Sequence, residues 1–309
     1  MSYLVRRLLL LIPTMVVVSI VVFGMVFLSG DPAVLMLPPE ASDEQVEQFR
    51  DSHGFNDPFL VQYWRFMENA VKGDFGVSLR YNTPTMELVL QRVPATLKLS
   101  GLSMLLTVLI AVPLGTLAAL KKGSAIDHVA SFISVLGQAI PNYWLGFILM
   151  FIFGITLHLL PTSGGPGLKF VILPAITIAV NIMALITRMT RSSVLEALSE
   201  DYVRTARSKG VPNRIIITRH VIRNAILPII TIIALQFGYM LGGAVIIETV
   251  FSWPGLGLLT INAIYNRDYP VVQASVIFLT FAFVTINLLV DISYQFIDPR
   301  IRLMAEENK

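Results

Sequence analysis

Ser199-Glu200-Asp201-Tyr202-Val203-Arg204-Thr205-Ala206-Arg207-Ser208-Lys209-Gly210 is a polar, helix-competent stretch set between long apolar runs, with Ile226-Leu227-Pro228 following farther on. Ser199 is placed to cap a short helix whose first turn holds Glu200 and Asp201, favourable at the positive helix end, while Arg204, Arg207 and Lys209 come later. Glu200 and Arg204 lie four apart and can pair, which steadies an exposed helix by a few tenths of a kcal/mol. Ala206 and Gly210 are also four apart, so one face carries almost no side-chain bulk and another helix or a groove can approach it. Gly210 then ends the helix, and Val211-Pro212 redirects the chain. A turn needs nothing so ordered, and the segment reads as a docking surface on the cytoplasmic face.

The runs on either side set the class. In a chain of 309 residues, 55% hydrophobic against 14% charged is too apolar for an ordinary soluble domain and marks an integral membrane protein. The absence of cysteine excludes disulfide scaffolding and thiolate metal sites. Four scattered histidines make no metal site, and the methionines read as core filler. The net charge of +3 is small, so what matters is where the basic residues fall.

Six apolar spans approach the roughly 20 residues that a helix needs to cross the hydrocarbon core. They cover about 8–29, 97–120, 132–160 (punctuated by Pro141), 171–190, 227–250 and 274–297. Arg6 and Arg7 precede the first, Lys121 and Lys122 follow the second, and the basic segment 191–226 separates the fourth from the fifth. By the positive-inside rule these are cytoplasmic, and an even number of crossings puts both termini inside. The first span is longer than a secretory h-region and no clear small-x-small cleavage site follows, so it is read as retained. The organisation expected is an N-terminus with the first span (1–30), an external cap (31–96), a membrane core (97–297) containing the loop 191–226, and a cytoplasmic tail (298–309).

Between the first two spans, Ser42-Asp43-Glu44-Gln45 reads as a capping box and Gly54 as a helix stop. Asp57-Pro58 is a second start with its stop at Gly73, and Thr83-Pro84 a third start, which predicts three short helices. This cap is either a docking platform or lid, or a spacer that helps the fold. Acidic residues outnumber basic ones in it, which fits an external position.

The pattern of a small residue, three residues and Gly210, then a basic stretch and Ile226-Leu227-Pro228, resembles the cytoplasmic coupling loop of permease subunits in binding-protein-dependent ABC importers. The dipeptide, oligopeptide and nickel branch is the closer match, and it spans nearly the whole chain. Its motifs include Gln62-Tyr63-Trp64, Gly73-Asp74-Phe75-Gly76, Arg92-Val93-Pro94-Ala95-Thr96-Leu97, Glu200-Asp201-Tyr202-Val203-Arg204-Thr205-Ala206, Trp253-Pro254-Gly255-Leu256-Gly257 and Arg267-Asp268-Tyr269-Pro270. Two departures stand out. Arg204-Thr205-Ala206 occupies the place of the generic Glu-Ala-Ala, and the interval from Gly210 to Leu227-Pro228 is longer than the generic one.

The resemblance implies an all-α protein with the six-helix type I importer permease fold, in a bacterial or archaeal inner membrane. It implies a homologous permease as heterodimer partner, two cytoplasmic ATPases, an external substrate-binding protein and membrane lipid as partners, and no nucleic acid. Asp201, Tyr202, Arg204, Thr205, Ala206, Lys209 and Gly210 would couple to the ATPases. The chain has no Gly-x4-Gly-Lys-Ser/Thr loop, so no catalytic residue and no cofactor is assigned to it, and ATP with Mg would be bound by partner subunits. Di- and oligopeptides are the implied cargo, with glutathione, nickel or metal–chelator complexes as alternatives. Polar residues at membrane depth supply candidates for the pathway: Asn181, Gln236 and Tyr239 either line it or pack helices together. Glu248 and Asp291, near span ends, are read as pathway charges or as partners of loop residues. The Trp253 turn is expected at the membrane surface, where it either helps close an outer gate with Arg267 and Asp268 or is a plain structural turn. An ion-gradient-driven secondary transporter is the rival class. It would show ionisable residues deep in several spans and an inverted repeat, and neither is visible.

Overall fold

The computed structural model describes residues 3–28, 31, 33–34, 37, 40–165 and 167–297. In chain order the helices are α1 (Tyr3–Leu28), α2 (Asp43–His53), α3 (Phe59–Val71), α4 (Thr85–Leu120), α5 (Ala125–Ala139), α6 (Asn142–Leu149), α7 (Lys169–Ser199), α8 (Asp201–Ser208), α9 (Ile222–Val250), α10 (Leu256–Tyr265) and α11 (Tyr269–Ile297). A π-helical turn, Met150–Thr156, extends α6, while the helical turn Asn213–Ile215 and the π-helical Ile216–Val221 lead into α9. Among the described residues no strand forms beyond one isolated bridge between Val77 and Pro84. The tail expected over 298–309 and the side chains of Arg6, Arg7 and Asp291 lie outside the described residues.

Among the described residues four helices are long and apolar enough to cross a membrane: Thr85–Leu120, Lys169–Ser199, Asn213–Met240 and Tyr269–Val290. The third expected span is not straight. Its two halves, Ala125–Ala139 and Asn142–Thr156, meet at 102° and make a fifth span if taken together. The break follows from Pro141, which has no N–H to continue the helix and pushes Ile140 into an extended conformation (φ −82°, ψ 122°). The first expected span is the 26-residue α1, within which the apolar stretch Leu11–Val26 is shorter than the others.

The described residues group into two compact units. One is drawn from Met1–Thr96 and Pro254–Thr285. Here Ser42 accepts the Gln45 N–H while Gln45 reaches back to the Ser42 N–H, a complete capping box that starts α2 with Asp43 and Glu44 in its first turn. α3 begins after Pro58 and packs on α1 through rings: Phe23 stacks on Phe66 at 5.1 Å and meets Phe59 edge-on at 5.4 Å. The Ser19 and Tyr63 hydroxyls are bonded at 2.8 Å. Lys72 donates to Glu68 at 2.7 Å and holds that carboxyl below its usual range, closing the exposed side of α3. The third short helix expected after Pro84 is not separate. It is the opening of α4, which runs on from Thr85 through Pro94 into the apolar residues without a break. In the same unit Val89, Leu256, Leu259, Ala263, Val271 and Ala274 form a buried core.

The other unit is drawn from Leu97–Trp253 and Ile286–Lys309. α7 is its centre, packed by α5, α6 and α9, with Ile178, Ile182, Ile186 and Val194 buried along it. Gly115 on α4 permits a close approach of α4 to α7: a Cβ there would sit 2.5 Å from the Thr187 carbonyl oxygen, so only glycine fits. Trp253 is 3% exposed, with the Lys98 ammonium 5.9 Å from its ring, so protein and not solvent surrounds it. The Gly164 N–H donates to the Phe251 carbonyl at 2.7 Å and covers the turn that holds this ring inside.

Candidate functional site

The polar stretch folds as α8 between the end of α7 and the turn that leads into α9. Only one of its side chains is fully buried. Val203, 0% exposed, sits among Ala119, Val194, Ala197, Ile216 and Val221, so the short helix is seated on the ends of α4 and α7 and on the π-helical turn. Tyr202 and Ala206 pack against the same cluster, and the Tyr202 hydroxyl donates to the Ala197 carbonyl at 3.2 Å. The opposite face is open: Asp201, Arg204, Thr205, Lys209 and Gly210 are exposed, with Arg207 and Ser208 between them. Such a helix is held firmly on one side and presents charge on the other.

Four sequence expectations change in detail. Ser199 does not cap α8; it is the last residue of α7 and its hydroxyl donates to the Glu196 carbonyl at 2.7 Å, which leaves Glu200 in the extended cap position. Arg204 faces Asp201 at 3.7 Å rather than Glu200, because Glu200 lies outside the helix and off its face. The bare face predicted from Ala206 and Gly210 does not exist as a surface, since Ala206 points inward to the core and Gly210 stands beyond the helix end. The long interval before Leu227-Pro228 is not a loop: α7 runs on to Ser199, and helix resumes at Asn213, where the π-helical turn absorbs extra residues without ending it.

Gly210 does stop the helix. Its φ is +71°, its N–H donates to the Arg207 carbonyl at 2.9 Å, and the Val211 N–H donates to the Ala206 carbonyl at 3.2 Å, the paired bonds of a Schellman turn. Pro212 then starts the next helical turn.

The polar residues at membrane depth separate by environment. The Asn181 side chain donates to the Gly137 carbonyl at 3.3 Å and so bonds α7 to α5. Gln236 is partly exposed and Tyr239 is 65% exposed; with Leu235, Gly242 and Ile246 the tyrosine forms an open stripe along α9 at helical spacing. Glu248 is 0% exposed and enclosed by its own subunit. Asp268 is buried and accepts hydrogen bonds from the 78–80 turn.

The description "Binding-protein-dependent transport system inner membrane component" matches residues 111–303, and "Binding-prot-dependent transport system membrane comp, N-term" matches residues 1–100. The chain belongs to the binding-protein-dependent transport permease family. It is 40% identical over 303 residues to the glutathione transport system permease protein GsiC of Escherichia coli (strain K12), covering 98% of this chain and 99% of that one. The GsiC of Salmonella paratyphi A is 41% identical over the same length. These matches assign the permease to the ABC importer branch that handles peptides, oligopeptides and nickel, in an inner membrane that it crosses several times. Among solved structures, the inward-facing MetNI methionine ABC transporter is similar in fold, with a TM-score of 0.58 at 18% identity over 69% of this chain and 97% of that chain. An amino acid ABC transporter crystallised with histidines gives 0.52 at 21% identity over 68% and 94%.

One cluster of this permease escaped the sequence reading. Arg191 on α7 makes a two-pronged ion pair with Asp127 at the start of α5, Nε to Oδ1 at 2.5 Å and an η nitrogen to Oδ2 at 2.8 Å. The two are 64 positions apart, and neither belongs to a motif that could have joined them.

Proposed function

We propose that this chain is a membrane-spanning subunit of an ATP-driven importer for di- and oligopeptides, paired with a homologous permease as a heterodimer. Two cytoplasmic ATPases would grip α8 and an external binding protein would deliver cargo. In this reading both termini are cytoplasmic, the 31–96 cap is external, ATP and Mg are held by the partner subunits, and the chain performs no covalent chemistry. The observation that carries it is α8 itself: a helix fastened to α4, α7 and the approach to α9 by the buried Val203, while its other face is exposed and charged. Force applied to that face is passed to three helices as a rigid body. The open stripe on α9 that includes Tyr239 supplies the surface for the second permease and for the pathway between them, with Gln236 at its edge.

Glutathione is the second reading of the cargo, favoured by 40% identity to a glutathione permease along nearly the full chain. Glutathione is itself a small peptide, so both readings require the same machinery. Equilibrium binding of trialanine, a dipeptide series and glutathione to the cognate binding protein, followed by uptake into proteoliposomes holding the full transporter, decides between them. Uptake that follows an ion gradient and ignores ATP would overturn the importer reading.

A further inference from the structure

We propose that the ion pair between Asp127 and Arg191 is the joint through which movement of α8 reaches the bent α5 and α6, making both positioning residues for transport. The proposal rests on α8 being the ATPase handle. The Asp127 side chain is 5% exposed and collects three N–H donors from two other segments: two from Arg191 on α7 and one from the Gly123 backbone at 2.9 Å, in the turn after α4. Its place in the first turn of α5 favours the negative charge further. The paired fork of a guanidinium on a carboxylate fixes direction as well as distance, which a single-point contact does not.

The same two segments seat α8. Val194 and Ala197 follow Arg191 on α7, Ala119 precedes Gly123 on α4, and all three contribute to the cluster that buries Val203. A shift of α8 therefore moves the groups that hold Asp127. Farther along α5 the contact with α7 changes character. A Cβ on Gly137 would lie 3.2 Å from both the Ala184 Cβ and the Val180 carbonyl oxygen, a close crossing that the Asn181 side chain pins through its hydrogen bond to the Gly137 carbonyl. Positions 127 and 137 are separated by about 15 Å along a helix. The geometry is that of a lever driven at Asp127 and pivoting at Gly137, with the 102° bend beside Pro141 carrying the swing into α6.

The test uses the complete transporter in proteoliposomes, with glutathione and trialanine as probe cargoes. Asp127→Asn is expected to retain the ATPase subunits through purification and to keep basal hydrolysis, while stimulation by loaded binding protein and uptake per complex fall about tenfold. The exchange of both residues, Asp127→Arg with Arg191→Asp, restores the ion pair but not the Gly123 hydrogen bond, so it should recover part of that loss. Arg191→Lys keeps the charge and removes the fork, so it should fall between wild type and Asp127→Asn, and it serves if Asp127→Asn does not accumulate. Wild-type stimulation per complex in Arg191→Lys and Asp127→Asn overturns the proposal, as does a deficit that merely tracks a lowered melting temperature and is not repaired by the exchange. A wild-type transporter that fails to retain the ATPases would instead overturn the handle itself.

Discussion

The Ser78 hydroxyl donates to the Asp268 carboxylate across 2.5 Å, joining points 190 positions apart in the sequence. The same carboxylate accepts the Leu79 N–H at 3.3 Å and the Arg80 N–H at 3.4 Å, and Ser78 in turn accepts the Tyr81 N–H at 3.0 Å. One buried side chain thus shapes the turn that precedes α4. Replacing it, as in Asp268→Ala, leaves the Ser78 hydroxyl without its acceptor at a cost of about 1–3 kcal/mol. The expected outcome is a lower melting temperature in detergent and faster tryptic cleavage after Arg80; equal cleavage rates would show that the carboxylate does not hold the turn.

Gly210 supports a prediction that separates strain from crowding. Nothing lies within 4 Å of a Cβ added there, but the φ of +71° is disfavoured for branched side chains. Gly210→Val should cost about 1–2 kcal/mol locally and loosen the seat of α8, with uptake and ATPase stimulation both reduced, whereas Gly210→Asn should be nearly tolerated because asparagine adopts this conformation more readily. Equal loss in both variants would point to crowding by a partner in place of backbone strain.

Gly115 predicts the opposite mechanism. Its Cβ would meet the Thr187 carbonyl at 2.5 Å and the Thr190 Cβ at 2.7 Å, so Gly115→Leu must push α4 from α7. Overpacking of this kind costs about 1–3 kcal/mol and should show as a reduced amount of folded protein in the membrane. Wild-type abundance and melting temperature in Gly115→Leu would contradict the close crossing.

Orientation can be read directly because the chain has no cysteine. Ser208→Cys and Gln48→Cys place single thiols at two exposed positions, one on α8 and one on α2. A membrane-impermeant maleimide is expected to reach position 48 from outside intact cells and position 208 only in inverted vesicles. The reverse pattern would invert the topology.

The sequence made the helices legible wherever a local signal exists. Ser42 with Gln45 announced α2, Gly210 announced the end of α8, and Pro141 marked the bend, each through chemistry confined to a few neighbouring residues. It failed where partners are distant. Ala206 beside Gly210 looked like a bare face because sequence spacing cannot say that Val203 and Ala206 turn inward to Ala119 and Ile216. Nothing local announced that Gly164, far away in the chain, closes over the turn that carries Trp253. The ion pair between Asp127 and Arg191 had no local signature, since a charge near a helix end is ordinary until its counter-charge is located.

The central claim is that the exposed face of α8 is the surface that the ATPases grip. Ser208→Cys, carrying a short photoactivatable cross-linker in the fully assembled transporter, tests it most directly. The account predicts an adduct with an ATPase subunit and a loss of uptake in proportion to adduct formed; a transporter that hydrolyses ATP and imports cargo while position 208 yields no ATPase adduct would contradict it.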